Sequence, residues 1–203
     1  MTYQTYRQLT DELLAQGKTT GGNHSEAMIH YTQLNVVRMN RLDKTTRLLE
    51  GVKEQLQQIN RPMIWLTLTE AWCGDAAQII PVLQKMTEVN ELVELRLILR
   101  DEHPEIMNAF LTNGGRSIPK VILLDAQTLG VLGSWGPRPA AVQEMVMSAK
   151  ADLDVLTDKE DKKNRYHELI TAAQKWYAKD KTKSIQQEFL SVLDRHIGAR
   201  MQA

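Results

Sequence analysis

Cys73 is the residue of this chain best suited to chemistry, and it is the only cysteine among 203 residues. It lies in the segment Glu70–Ala76, which reads EAWCGDA. An apolar run at 63–68 predicts a strand directly before it, and the residues after it begin a helical pattern. The thiol is therefore predicted on the first turn of a helix, where unpaired backbone N–H groups and the helix dipole stabilise a thiolate. A single cysteine also excludes a disulfide within the chain.

Two carboxylates flank this cysteine in the sequence. Asp75 acts in two opposed ways, because an anion at a helix N-terminus stabilises the helix, whereas a negative charge beside the thiol disfavours the thiolate. We expect the helix dipole and the exposure of the thiol to decide this competition, and the sequence leaves its outcome open. Glu70 is a candidate for moving a proton, although a solvated loop carboxylate is the commoner outcome at such a position.

The composition limits the partners of the chain. Hydrophobic residues make up 42% of it and its formal net charge is +0, which suits an ordinary globular core. Nucleic acids and anionic membranes usually require a basic surface, so neither is expected as a partner. The sequence shows no apolar stretch of membrane-spanning length and no signal-peptide core at its start. Because it also has no disulfide framework, a cytoplasmic location is expected.

The elements that must position the thiol alternate along the middle of the chain. Apolar runs and turn signals predict strands at 63–69, 92–99, 118–124 and 129–135. Helical patterns lie between and after them, at 73–89, at about 104–112 and from about residue 137. Alternation that ends in a hairpin and a closing helix predicts an α/β fold with a central mixed β-sheet flanked by helices.

Helices are also predicted on both sides of this region. Before it, they are expected at 2–16, from about residue 25 and at 43–58. After it, a capping box at 157–160 opens a helix that carries Tyr166, Trp176 and Tyr177. The apolar face of a last helix consists of Ile185, Phe189, Val192, Leu193 and His196. We expect the tail helices to pack on the central domain or on the N-terminal helices, whereas an exposed aromatic stripe would indicate a partner surface.

Three features occur together around the thiol. Trp72-Cys73-Gly74 is followed by Pro81 within the helix, and Ser117-Ile118-Pro119 opens a later strand. With this combination, residues 43–153 resemble the thioredoxin family, whose active-site motif, helix-kinking proline and cis-proline segment these positions match. The chain is also similar to bacterial thioredoxin-like proteins with Trp-Cys-Gly-Asp and helical flanks. The resemblance implies a thioredoxin fold with extra N- and C-terminal helices, at 1–42 and 154–203.

The chain departs from the family pattern at three positions. Ala76 stands where the family has its resolving cysteine, Asp75 where proline is common, and Thr67 where the family has a buried acid. The resolving thiol and the buried proton acceptor are therefore missing, and the intramolecular dithiol cycle cannot run in this chain. What the resemblance still implies is thioltransferase-like exchange, in which an external thiol resolves the adduct on Cys73.

The resemblance also implies the roles of several site residues. Trp72 and Pro119 would shape the site, and the backbone around Gly74 and Asp75 would stabilise the thiolate. If the bond to Pro119 is cis, the backbone of Ile118 should be open to pair with an extended peptide by strand addition; a trans proline at the start of a strand is the alternative. Arg116 is a candidate for attracting an anionic partner such as the carboxylate of glutathione, with an ordinary surface arginine as the alternative.

Three functions stay open at this point. Cys73 exchanges with a disulfide-bearing protein or a small thiol, glutathione being a candidate co-substrate; or the fold is a binding module whose Pro119 edge holds a peptide and whose cysteine is vestigial. The third is peroxide sensing through a sulfenic acid at Cys73. No cofactor or metal site is expected, because the five histidines are scattered at positions 24, 30, 103, 167 and 196. The sequence does not indicate an oligomeric state.

Overall fold

The computed structural model describes the backbone of residues 1–197 and the side chains of residues 1–195. His196, predicted on the apolar face of the last helix, therefore lies outside the described side chains. The elements are α1 Tyr3–Ala15, α2 Glu26–Thr45, α3 Glu50–Gln57, β1 Met63–Thr69, α4 Gly74–Thr87, β2 Val93–Leu99, a 3-10 turn Arg100–Glu102, α5 Pro104–Ala109, β3 Lys120–Asp125, β4 Val131–Trp135, α6 Ala140–Val155, α7 Lys159–Asp180 and α8 Lys183–Ile197. In this described part of the chain, no helix is long and apolar enough to span a membrane.

Four strands form one mixed sheet in the order β2-β1-β3-β4. β1 runs parallel to β2 and antiparallel to β3, and β3 is antiparallel to β4. β1 lies inside the sheet, and Trp65 and Leu68 on it are fully buried, as expected for an almost continuously apolar strand covered on both faces. The predicted mixed sheet flanked by helices, with further helices at both ends, is confirmed.

The outer edge of β2 is paired with the start of the chain. The ammonium group of Met1 donates to the carbonyl oxygen of Leu97 at 2.8 Å, and the N–H of Leu97 donates to the carbonyl oxygen of Met1 at 2.8 Å. α1 then continues against β2. An exposed sheet edge invites pairing with other chains, so this contact protects the edge nearest α1.

The tail packs on the sheet through α8, as the sequence predicted. Phe189 lies edge-on to Trp65 of β1, with ring centroids 4.6 Å apart, and edge-on to Trp135 of β4, with centroids 5.7 Å apart. Such T-shaped pairs add about 0.5–1.5 kcal/mol to the burial of the rings themselves. Ile185 and Leu193, on the same face of α8, are also buried, so this helix is part of the core.

The prediction for the third helix is wrong in its start. α2 continues to Thr45, and α3 begins only at Glu50, because the segment between them is extended and is held by the tail. The side-chain amide of Gln186 on α8 accepts from the N–H of Leu49 at 2.9 Å and donates to the carbonyl of Arg47 at 3.1 Å. This long-range contact overrides the local helical pattern.

The predicted capping box of α7 is wrong by one residue. The N-cap is Asp158 and not Thr157, because one carboxylate oxygen of Asp158 accepts from the N–H groups of Glu160 and Asp161 at 2.8 and 2.9 Å. An ionised carboxylate is the stronger cap at the positive end of the helix dipole, so it wins over the neighbouring hydroxyl.

Candidate functional site

Cys73 lies at the junction between β1 and α4, where the sequence predicted it. It is the N-cap residue of α4 and its backbone is still extended, with φ −79° and ψ 115°. Its N–H donates to the carbonyl of Glu70 at 3.0 Å, and its carbonyl accepts from Ala77 at 3.2 Å. The turn that ends the strand therefore delivers the thiol directly to the first turn of the helix.

The sulfur faces the loop that precedes β3. The thiol of Cys73 donates to the carbonyl oxygen of Ile118, with sulfur and oxygen 3.3 Å apart. The peptide bond between Ile118 and Pro119 is cis, which confirms the prediction, and both residues are buried. The structure thus brings together the cysteine and the Ile118-Pro119 pair that the sequence selected.

Gly136 supports this loop from the end of β4. Its φ is +113°, and a Cβ added there would collide with the carbonyl oxygen of Pro119. Only glycine fits both the backbone conformation and the space. The bond from Gly136 to Pro137 is a second cis peptide, which the sequence did not predict.

The charge balance at the sulfur, which the sequence left open, favours the protonated thiol. Burial, followed by the negative charge of Asp75, raises the pKa of the Cys73 thiol to about 12. The N–H groups of Ala76 and Asp75 and the more distant cation of Arg138 lower this pKa by less. The helix N-terminus acts in the predicted direction, but the thiol is only 8% exposed and desolvation outweighs it. In this conformation the thiol is protonated at neutral pH.

Asp75 is held by two residues that the sequence analysis did not connect with the site. Arg138, just before α6, pairs with its carboxylate at 2.8 and 2.9 Å, and the hydroxyl of Tyr177 on α7 donates to it at 2.7 Å. Burial raises the pKa of Asp75, and Arg138 and Tyr177 oppose that rise. The sequence pattern marked Tyr177 only as a residue on the apolar face of a helix, and it did not mark Arg138 at all.

Helices α2 and α7 approach α4 at Gly74, which follows the cysteine. The side-chain nitrogen of Gln174 on α7 lies 3.1 Å, and a guanidinium nitrogen of Arg38 on α2 lies 3.8 Å, from the point where a Cβ of Gly74 would be. Gln174 also accepts from the side chain of Gln78 on α4 at 2.6 Å. The missing side chain of Gly74 lets both flanking helices close over the first turn of α4.

Trp72 directly precedes the cysteine in the chain and is half-buried. The guanidinium of Arg100, in the 3-10 turn after β2, lies over its indole ring, 4.9 Å from the centroid. The same guanidinium pairs with Asp101 at 2.8 Å and reaches the carbonyl of Arg116 at 3.5 Å. A cation over the ring restrains the orientation of Trp72 beside the cysteine.

The two candidate auxiliary residues do not contact the thiol in the described part of the chain. Glu70 is fully buried, which corrects the expectation of a solvated carboxylate: it accepts from the N–H of Asp101 at 2.9 Å, and burial raises its pKa. The side chain of Arg116 is exposed and donates to Asn108 at 2.9 Å. Neither the described histidines nor the carboxylates form a group of three that could hold a metal ion.

The two positions of the missing dithiol machinery are both buried. Ala76, one turn after the cysteine on α4, is 1% exposed. Thr67 on β1 is fully buried, and its hydroxyl reaches the carbonyl of Trp65 at 3.4 Å. Neither side chain can resolve a mixed disulfide or accept a proton from the thiol, so any resolving group comes from another molecule.

Comparison with known proteins gives one family and two similar folds. A family model described as thioredoxin matches residues 21–152. The crystal structure of a protein of unknown function from Pseudomonas aeruginosa has a TM-score of 0.56 and 18% identity, and the match covers 96% of this chain and 98% of that one. An HIV epitope-scaffold matches with a TM-score of 0.56, 19% identity and the same coverage. At these identities the two structures show the fold alone. No curated protein matches the sequence.

Proposed function

The chain belongs to the thioredoxin family, and from that membership we propose that it performs thiol–disulfide exchange through the single thiol of Cys73, which an external thiol resolves. One observation carries the proposal. The sulfur lies at the N-terminus of α4 and 3.3 Å from the carbonyl oxygen of Ile118, beside the cis bond to Pro119, while Ala76 takes the place of a resolving cysteine. The chain therefore has the cysteine that would attack a disulfide, and it lacks the cysteine that would resolve the mixed disulfide.

The proposed reaction has two steps. The Cys73 thiolate attacks one sulfur of a disulfide, so that a bond between Cys73 and that sulfur forms, the original S–S bond breaks, and the other sulfur leaves as a thiolate that takes up a proton. An external thiolate then attacks the substrate sulfur of the mixed disulfide; a new disulfide forms between these two sulfurs, the bond to Cys73 breaks, and Cys73 leaves as a thiolate. The substrate is thus a disulfide-bearing protein or a small disulfide, and Cys73 undergoes no net change. We place the reaction in the reducing cytoplasm, where small thiols are available as resolving agents.

The raised pKa of Cys73 limits this reaction. Only the thiolate attacks, and the thiol proton points at the carbonyl oxygen of Ile118, which is not a base, so the proposal passes the proton to solvent. Burial is the largest cause of the raised pKa. The proposal therefore requires that the cover of α7 over the first turn of α4 loosens when a substrate docks, which hydrates the sulfur and lowers its pKa.

A peptide-binding module without catalysis is the second candidate, and two observations favour it. The thiol is buried and protonated, as a vestigial cysteine would be. In the part of the chain that the structure describes, the backbone N–H of Ile118 has no hydrogen-bond partner. An unpaired N–H at the start of a strand suits the addition of an extended peptide.

The deciding experiment follows Cys73 in the full chain with a glutathionylated peptide, using mass spectrometry, and with Cys73→Ser as the control. The expected result is a mixed disulfide on Cys73 in the folded protein, which added glutathione removes. The pH dependence of alkylation by iodoacetamide is measured in parallel, with the urea-unfolded chain as a reference thiol of pKa about 8.5. A thiol that forms no adduct until the protein is unfolded overturns the exchange proposal, and peptide binding by that same folded protein would support the module.

A further inference from the structure

A groove of about 650 Å³ lies between α2 and α7, two helices that flank the active-site helix. Its volume falls in the range of about 300–1,000 Å³ that is typical of small-molecule sites. Leu34 and Ile170 contribute apolar surface, and no aspartate or glutamate lines it. The polar side chains that line it are His30, Tyr31, Arg38, His167, Thr171, Gln174 and Lys175.

Arg38 is the half-buried cation of this groove. Its guanidinium donates to the side-chain oxygen of Asn35 at 2.6 Å, and Asn35 in turn donates to the carbonyl of Ala71 at 2.8 Å. These two hydrogen bonds fix the position of the Arg38 guanidinium. Among the described residues, no carboxylate forms an ion pair with it. Burial, and then the neighbouring charge of Arg41, lowers the pKa of Arg38. A partly desolvated cation without a counter-ion is costly, and an anion in the groove would offset that cost.

The inner end of the groove reaches the active-site helix. Both Arg38 and Gln174 approach the backbone of Gly74, the residue after Cys73. The N-terminus of α4 carries a partial positive charge there, which adds to the charge of Arg38. Asp75, the nearest carboxylate on α4, is already engaged by Arg138 and Tyr177.

One carboxylate lies close to the outer rim. Glu168 lines the shallow depression beside the groove, together with His167 and Lys175. Its carboxylate is paired with Arg165 at 3.1 Å, on the exposed surface of α7. The groove itself therefore keeps a positive character, from Arg38 at its inner end to Lys175 on its exposed side.

We infer that this groove binds a small molecule that carries carboxylates, with Arg38 as the group that contacts a carboxylate. Because two lining residues at the inner end, Arg38 and Gln174, approach Gly74, the residue after Cys73, and building on the proposed exchange, this molecule is an anionic low-molecular-weight thiol that supplies the external resolving sulfur. Charge complementarity selects the anion, the volume selects a small molecule over a protein partner, and the position beside the cysteine selects a thiol.

The test measures binding without exchange. S-methylglutathione has two carboxylates and no free thiol, so its titration into the full-length protein by calorimetry reports the groove alone. We expect saturable binding at pH 7 that Arg38→Gln weakens about tenfold or more, because one charge-assisted hydrogen bond is lost. Lys44→Gln, which removes an exposed charge elsewhere on α2, should leave binding unchanged, and the dimethyl ester of the ligand should bind more weakly than the acid.

Two results would overturn the inference: no binding of S-methylglutathione to the wild type, or equal binding to wild type and Arg38→Gln. Should Arg38→Gln not fold, Lys175→Gln on the exposed side of the groove gives the same comparison with a smaller loss. The outcome is separable from the proposed function. If the protein binds S-methylglutathione but Cys73 never exchanges, the groove is supported and the exchange proposal fails. If the protein does not bind S-methylglutathione, and wild type and Arg38→Gln exchange with a glutathionylated peptide at the same rate, the exchange is supported and the groove inference fails.

Discussion

Two walls enclose the Cys73 thiol, and they act on it in opposite directions. The first is the junction of β1 and α4 with the Ile118-Pro119 loop, which lies within the residues matched by the thioredoxin model and directs backbone N–H groups at the sulfur. The second is α7, beyond residue 152, which covers the first turn of α4 through Gln174 and Tyr177. The N–H groups of the first wall favour a thiolate, although its Ile118 carbonyl accepts from the protonated thiol, and the second wall contributes to the desolvation that prevents ionisation. The geometry of the motif therefore does not set the reactivity of the thiol by itself.

The largest effect should come from breaking the first wall. Gly136→Ala places a Cβ against the carbonyl of Pro119 at a φ of +113°, and we expect the free energy of unfolding to fall by about 3 kcal/mol in urea denaturation. Gly114→Ala is the matched control, since Gly114 also has a positive φ but nothing within 4 Å of an added Cβ. Equal losses in the two variants would mean that the contact with Pro119 contributes nothing.

The burial of the sulfur makes stability depend on alkaline pH. The folded-state pKa of Cys73, about 12, lies above the unfolded value of about 8.5, so the thiol stabilises the protein fully below pH 8.5 and this contribution is lost as the pH rises through the folded pKa. Between pH 8 and pH 10 the wild type should lose about 2 kcal/mol more than Cys73→Ser, which lacks the thiol. Parallel urea curves at the two pH values check this. An equal loss in both proteins would show that the thiol is hydrated.

Asp75 belongs to the first wall by position, and one of its two partners, Tyr177, belongs to the second, so Asp75 sharpens the comparison. Asp75→Asn removes the negative charge and leaves Arg138 without its counter-ion, and both changes lower the pKa of Cys73. We expect alkylation by iodoacetamide at pH 8 to become about tenfold faster, which corresponds to about one pKa unit. Asp152→Asn, an exposed carboxylate on α6, is the control. An unchanged rate in Asp75→Asn would show that burial alone controls the thiol.

The smallest effect concerns a single hydroxyl of the second wall. Tyr177→Phe deletes the hydrogen bond to Asp75 and should lower the free energy of unfolding by about 1 kcal/mol, because the mostly buried carboxylate loses one donor. Tyr166→Phe removes a hydroxyl from an exposed ring on the same helix and should change little. Thermal unfolding of both variants measures the difference, and indistinguishable melting temperatures would remove Tyr177 from the account of the site.

The first wall is the part that could be predicted from the sequence. The strand at 63–69 has the predicted limits because a continuous apolar run suits a strand buried on both faces. The position of Cys73 at the helix start follows from a local pattern, and the cis bond before Pro119 was implied by the resemblance to the thioredoxin family. Each of these depends on residues that are near one another in the chain or on a pattern carried by a few positions.

The second wall could not be predicted, for reasons that the contacts show. Tyr177 of this wall meets Asp75 across 102 residues of chain, and Arg138, outside α7, meets it across 63; no periodicity links such positions. The direction of the pKa shift of Cys73 depends on how much water reaches the sulfur, which is a property of packing and not of neighbouring residue types. The burial of Glu70 escaped prediction for the same reason, since its partner is the N–H of Asp101 in another turn.

The contact of α8 with the sheet has a consequence for the order in which the molecule can be completed during synthesis. Phe189 fills the space between Trp65 and Trp135, and Gln186 holds the segment at Leu49, which the ribosome makes 137 residues earlier. Until α8 has left the ribosome, these tryptophans and the connection between α2 and α3 lack their partners. A nascent chain that stops before α8 would expose apolar sheet surface, so the last helix decides when the protein ceases to need protection from aggregation.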